Sequence, residues 1–231
     1  MTSGNVIGAL ILALAFTFLI FSPGAAYVAD ATTLYSQGQA ATTTKNYTEA
    51  LAAYNGAIAL EPTYFEAWNG KADVLNRQKQ YAAALAASNQ SMAINPDYVE
   101  GLINRGQILY SIGYQYEDVA RDMTNATLLY NAQLEAFQRA VALDPKNTVA
   151  LFNEGFAYGG LKRFDEAIAD FNKVKAINPD YPQNEQCLKR ASELRDEAAP
   201  ASTKYILPIG IGVAIIIGGV ILILGLRMKK E

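Results

Sequence analysis

Apolar and polar residues follow two different patterns along this 231-residue chain. Two uncharged apolar runs lie near the ends, at 6–21 and 206–226. Between them, apolar residues recur at helical spacing in stretches of about 14 residues, with breaks between the stretches. This pattern predicts a middle region of paired amphipathic helices, flanked by one apolar segment on each side.

The middle region repeats itself at a fixed spacing. Pro62 and Pro96 have the same separation in the chain as Pro145 and Pro179. The four prolines end similar phrases, which read A-L-E-P, A-I-N-P, A-L-D-P and A-I-N-P. A fixed period of about 34 residues indicates helix pairs that bury their apolar faces against neighbouring pairs. We therefore divide the region into units 31–64, 65–98, 99–147 and 148–181.

These units resemble the tetratricopeptide repeat (TPR). Counted from the first residue of each unit, the matching positions are 4 (Leu34, Trp68, Leu102, Leu151), 8 (Gly38, Ala72, Gly106, Gly155), 20 (Ala50, Ala84, Ala167) and 24 (Tyr54, Phe137, Phe171, with Ser88 departing). The resemblance implies an all-α solenoid of about four helix-turn-helix repeats. Apolar residues at 4-3-4 spacing predict a capping helix at 183–198 that closes the last repeat.

The third unit is longer than the others, because Pro96 and Pro145 lie further apart than the prolines of the other pairs. The phrase that starts at Gly113 reads like a turn followed by the start of a second helix. We therefore predict a protruding element near 113–126, followed by a second helix from about Ala126 to Leu143. Such an insertion marks either a contact surface or a tolerated surface loop, and both alternatives stay open.

The two ends predict a membrane location. The run at 206–226 carries no charge and would measure about 31 Å as a helix, close to the apolar thickness of a bilayer. We predict a transmembrane helix at 205–226, after a linker at 199–204. Arg227, Lys229 and Lys230 assign the tail 227–231 to the cytoplasm.

The segment 1–26 resembles a secretory signal peptide, because a short apolar run precedes S-P-G-A-A. An uncleaved signal anchor is the alternative. Cleavage of this segment predicts a single-pass cell-membrane protein. Both alternatives place residues 27–204, and so the repeats, outside the cytoplasm and the C-terminus inside it.

Composition argues against several classes of function. The chain has no histidine and one cysteine, Cys187, so Cys and His zinc sites, His-dependent catalysis and a disulfide within one chain are excluded. The net charge is −3, and without the basic tail the middle is more acidic still, which argues against nucleic acid as a partner. A paired-carboxylate enzyme using Glu66 and Asp73 would lack an orienting partner. We expect no catalysis, cofactor or metal.

The resemblance also implies a concave binding groove. In TPR proteins this groove is lined by positions 2, 5, 9 and 12 of the first helix of each unit, which here hold Thr32, Tyr35, Gln39, Thr42, Glu66, Asn69, Asp73, Asn76, Glu100, Ile103, Gln107, Tyr110, Val149, Phe152, Phe156 and Gly159. One half is polar with three carboxylates, and the other half is apolar and aromatic. Such a groove suits an extended or helical peptide with an apolar anchor and a basic residue. Packing of the aromatic residues against each other or against the next repeat is the alternative.

TPR proteins that bind a C-terminal carboxylate place Lys, Asn and Lys where this chain has Tyr35, Gln39 and Glu100. These residues argue against that specificity.

Three further features are weaker. Sequons at Asn46, Asn89 and Asn125 permit N-glycosylation. Small residues spaced by four could pack transmembrane helices as a dimer, and they are Gly210, Ala214 and Gly218. Cys187 is interpreted as an inert, buried residue of the capping helix, with an intermolecular disulfide as the alternative.

Together these patterns predict a membrane-anchored, extracytoplasmic TPR scaffold that binds a protein or peptide through its groove. Two alternatives remain, a self-assembling structural component of the cell envelope and a tail-anchored adaptor that faces the cytosol. The sequence leaves the partner and a homo-oligomeric state open.

Overall fold

The structure is a computed structural model that describes residues 30–199. This part of the chain forms nine helices and no strand. They are α1 (Ala31–Thr43), α2 (Tyr47–Leu60), α3 (Phe65–Arg77), α4 (Tyr81–Ile94), α5 (Val99–Asp118), α6 (Met123–Leu143), α7 (Thr148–Gly160), α8 (Phe164–Ile177) and α9 (Asn184–Ala198). Consecutive helices pack as hairpins, each hairpin contacts the next, and α9 packs on α8. The described region is an all-α solenoid of helix hairpins, as the resemblance to TPR proteins implies.

Local chemistry defines where these helices begin and end. Asp30 caps α1 by accepting a hydrogen bond from the Thr33 backbone N–H at 2.6 Å, and Asn147 caps α7 in the same way. Three lysines at position 15 of their units have a φ near +60° and end the first helix of each hairpin; they are Lys45, Lys79 and Lys162. The tight turns bring the two helices of each unit together.

Small residues let the paired helices approach closely. Ala50, Ala84 and Ala167 at position 20 have no exposed surface. A Cβ atom on Gly106 would lie 2.5 Å from the ring of Phe137, so only glycine fits beside that aromatic ring. The second unit differs from the other three at positions 8 and 24. Alanine replaces glycine at position 8, and serine replaces the aromatic residue at position 24.

The insertion in the third unit differs from the prediction. Instead of a separate protruding element before Ala126, it extends both helices of one hairpin. α5 has 20 residues and α6 has 21, whereas α1 and α2 have 13 and 14. Each helix is therefore seven residues longer than its counterpart in the first unit, and the turn at 119–122 has one more residue than the turn at 44–46. We call residues 112–129 the overhang, which projects about 10 Å beyond the other hairpins.

The predicted cell-membrane location requires correction. Within residues 30–199, no helix combines the length and the apolar character needed to cross a membrane. We therefore withdraw the expectation of a single-pass protein with its repeats outside the cytoplasm. The segments from which it was predicted lie outside the described residues; they are the signal peptide at 1–26, the linker at 199–204 apart from Ala199, the transmembrane helix at 205–226 and the tail at 227–231.

Candidate peptide-binding groove

The first helices of the four units bring most of the predicted groove residues to two cavities, whereas Thr32, Thr42 and Gly159 line neither. The first, which we call the polar cavity, has a volume of about 410 Å³, and its walls include Tyr35, Gln39, Glu66, Asn69, Asp73, Glu100, Ile103 and Gln107. The second, the aromatic cavity, has a volume of about 270 Å³, and its walls include Asn76, Gln107, Tyr110, Phe152 and Phe156. Gln107 lines both cavities, so they adjoin.

The polar cavity is acidic. Arg77 forms an ion pair with Asp73 at 2.9 Å. Glu66 and Glu100 have no lysine or arginine partner among residues 30–199. Burial raises the pKa of Tyr35 to about 12, and neighbouring tyrosines and the two unpaired carboxylates contribute to the shift. The negative potential that disfavours ionisation of Tyr35 would also favour the binding of a cation in this cavity.

Asn104 also belongs to this cavity, although the sequence did not predict it. It lies at position 6 of the third unit, which is not among the groove positions that the TPR resemblance supplies. The Asn104 side-chain amide Nδ2 donates to Asn69 Oδ1 at 2.8 Å and to Asn69 O at 3.1 Å. Its Oδ1 is buried and has no hydrogen-bond partner in the described structure. The residue is only 7% exposed and lines the polar cavity. In the sequence, Asn104 follows two apolar residues of α5 in the phrase L-I-N, and this change to a polar residue was the available signal.

The two phenylalanines in the apolar half of the predicted groove differ in their surroundings. Phe156 is 45% exposed, and its ring meets that of Tyr110 edge-on with centroids 5.9 Å apart. Phe152 is half-buried and packs against Phe171 at 5.6 Å and Tyr181 at 5.0 Å. Phe156 therefore presents its ring to the groove, whereas Phe152 also supports the fold.

A third cavity of about 400 Å³ lies between the overhang and α9. Tyr114, Tyr130 and Arg190 line it, together with Phe156 and Tyr110 of the aromatic end of the groove. The hydroxyl of Tyr130 donates a hydrogen bond to Glu117 at 2.6 Å. The aromatic end of the groove thus continues toward the overhang.

The remaining predicted sites occupy ordinary positions. Asn46, Asn89 and Asn125 are exposed, and each makes a side-chain hydrogen bond. Cys187 is half-buried in α9, and burial raises the pKa of its thiol. No cluster of metal-binding side chains occurs within residues 30–199. The proposed transmembrane packing residues Gly210, Ala214 and Gly218 lie outside the described residues.

A buried carboxyl pair joins α7 to α8, away from the groove. Glu154 lies beside Asp170, which pairs with Lys173 at 2.7 Å. Burial and the nearby Asp170 charge raise the pKa of Glu154 to about 7. Asp170 replaces an alanine that the other three units bury at position 23, in Ala53, Ala87 and Ala136. Glu154 lines none of the three cavities above.

Comparisons with known proteins agree with this architecture. Two tetratricopeptide repeat models match the chain, over residues 35–99 and 148–181. Residues 35–99 and 148–181 are thus recognised as tetratricopeptide repeats. Proteins built from this repeat mediate protein–protein interaction and generally serve as non-catalytic scaffolds.

A tetratricopeptide repeat and J domain-containing co-chaperone of Fusarium oxysporum f. sp. lycopersici is 36% identical over 63 residues, 27% of this chain. The match spans 11% of that relative's length.

Two solved structures share the fold. A thermophilic TPR protein of Thermus thermophilus has a TM-score of 0.61 and 20% identity, and the alignment covers 72% of this chain and 84% of that one. The MamA protein has a TM-score of 0.56 and 22% identity, with coverage of 73% and 85%. At these identities the likeness concerns the fold alone.

Proposed function

We propose that this TPR domain binds a partner protein through a peptide segment, extended or helical, that lies along the concave groove. The observation that carries the proposal is the adjoining pair of cavities, whose walls change from acidic to aromatic along one surface. Carboxylates at one end select a basic residue, and rings at the other end provide apolar area for an anchor.

The anchor site is formed by Phe156 and Tyr110, which are 45% and 38% exposed. An apolar peptide side chain placed against the exposed faces of these rings would remove apolar surface on both partners from water. Such burial contributes roughly 25 cal/mol per Å² before the costs of association. Because both rings already contact each other, the pocket needs little rearrangement to accept a ligand.

The test uses twelve-residue peptides selected by display against the immobilised full-length protein, with affinities measured by fluorescence anisotropy. Tyr110→Ala and Phe156→Ala should each weaken a selected peptide about tenfold, as expected for an aromatic residue at the centre of an interface. Tyr116→Ala is a matched control, because Tyr116 lies on the same helix as Tyr110, is 39% exposed and lines neither groove cavity. If all three variants bind the selected peptide with equal affinity, the groove is not the binding site.

A further inference from the structure

The polar cavity holds two carboxylates without ion-pair partners. Asp73 is neutralised by Arg77, whereas Glu66 and Glu100 face the same cavity with no lysine or arginine paired to either in the described region. Carboxylates are acceptors only, so a ligand that satisfies both must bring hydrogen-bond donors and positive charge. The two side chains therefore restrict the chemistry of a ligand at this place.

Asn104 adds a third acceptor, independent of the carboxylates. Its amide orientation is fixed, because Nδ2 donates to two oxygens of Asn69. Oδ1 must then point away from Asn69, and it has no partner in the described structure. A buried acceptor left unpaired costs free energy that a donor from a ligand would recover.

Tyrosine rings stand beside these acceptors. The Tyr35 ring lies 5.1 Å from that of Tyr64 and 5.9 Å from that of Tyr54, measured between centroids. Tyr35 and Tyr54 also line the polar cavity. Aromatic faces attract cations and pack against the methylene groups of a long basic side chain.

We propose that Glu66, Glu100, Asn104 and Tyr35 form a subsite for an alkylammonium group, the side chain of a lysine in the partner peptide. This inference rests on the proposed function and names the residue that the acidic half recognises. The three acceptors come from two helices, α3 and α5, and an ammonium offers three diverging N–H donors to match them. A guanidinium presents a flat fork that suits a single carboxylate instead.

The first test compares versions of one display-selected peptide against the full-length protein. Selection should enrich lysine, and replacing that lysine by acetyl-lysine should weaken binding about tenfold, since a charge-assisted hydrogen bond is lost. Arginine at the same place should bind less tightly than lysine. Acetylating the peptide N-terminus should leave affinity unchanged; a loss there instead would assign the subsite to a terminal amine and overturn the lysine proposal.

The second test changes the protein. Glu66→Gln and Glu100→Gln should each weaken the lysine peptide about tenfold and leave the acetyl-lysine peptide unaffected. Glu135→Gln is the matched control, since Glu135 is exposed on α6 and lines neither groove cavity. Asn104→Ala should weaken the lysine peptide severalfold; unchanged affinity would reduce the subsite to a plain acidic surface and overturn the three-acceptor proposal.

The two proposals fail differently. If selected peptides depend on Phe156 but show no lysine preference, the ammonium subsite is overturned and the groove remains the binding site. If no selected peptide depends on either Phe156 or Glu66, both proposals are overturned.

Discussion

Glu154→Gln is expected to remove a pH dependence from the stability of the fold. Glu154 has a pKa of about 7 in the folded protein against 4.5 for the unperturbed carboxyl group. The folded state therefore holds a proton that the unfolded state has already released between these two values. The stabilisation from this proton is complete below pH 4.5 and is lost as pH rises to about 7.

The size of the effect follows from the difference between the two pKa values. Each pKa unit corresponds to about 1.36 kcal/mol, so the full loss is on the order of 3 kcal/mol. Burial supports an effect of this size, because Glu154 is only 7% exposed. The charge of Asp170 also raises the pKa of Glu154, whereas the charge of Lys173 lowers it. A glutamine keeps the shape and a donor toward Asp170, but it carries no charge at any pH.

Thermal unfolding of the full-length protein, followed by circular dichroism from pH 5 to 8, measures the effect. The melting temperature of Glu154→Gln relative to the unchanged protein should rise with pH, and the advantage at pH 8 should reach about 6–12 °C. Taking the difference cancels the titration of distant carboxyl groups. Glu135→Gln, an exposed counterpart, should give a flat difference. A flat difference for Glu154→Gln as well would refute the assigned proton.

Further substitutions test the packing of the repeats. Phe171→Ala should cost about 3–5 kcal/mol in denaturant unfolding, whereas the exposed Phe156→Ala should change stability by less than about 1 kcal/mol; equal losses would assign Phe156 to the core. Gly106→Ala should destabilise by about 1–3 kcal/mol in the same assay, because its Cβ would meet the Phe137 ring, and unchanged stability would show that the ring moves freely. Ser88→Ala should raise the melting temperature slightly, since the buried Ser88 hydroxyl has no hydrogen-bond partner within residues 30–199; a clear decrease would indicate an unrecognised hydrogen bond.

The sequence predicts the helix pairs well because the same residue pattern recurs in every unit. In the third unit the insertion interrupts this pattern, and the prediction of the helix ends fails there. Gly113 occupies position 15, where the other units end their first helix at a lysine with positive φ, and so the sequence pattern predicts a turn there. In the structure it lies inside α5, and a Cβ there would come within 2.6 Å of the Tyr130 ring. Tyr130 lies one full repeat period before Phe164, the first residue of the second helix in the fourth unit. This spacing could have indicated where the regular part of the second helix starts in the third unit.

For the groove, the TPR resemblance predicts which backbone positions line the surface, because the repeat geometry fixes them. It does not predict what each side chain contacts. Phe152 and Phe156 look alike in sequence, yet one stacks on Phe171 and the other faces the groove. The lone acceptor of Asn104 depends on Asn69, 35 residues earlier, and only the stacking of two repeats brings the pair together.

The overhang has a consequence for how such a protein can change over evolution. Seven residues complete two helical turns to within about 20°, so each lengthened helix keeps the same face toward its partner. Growth in this step leaves the packing of the other repeats undisturbed, because a repeat contacts only its neighbours. Insertions whose length is not close to a whole number of helical turns would rotate the paired faces apart. The third hairpin can therefore acquire new surface sequence while selection on the remaining repeats stays unchanged.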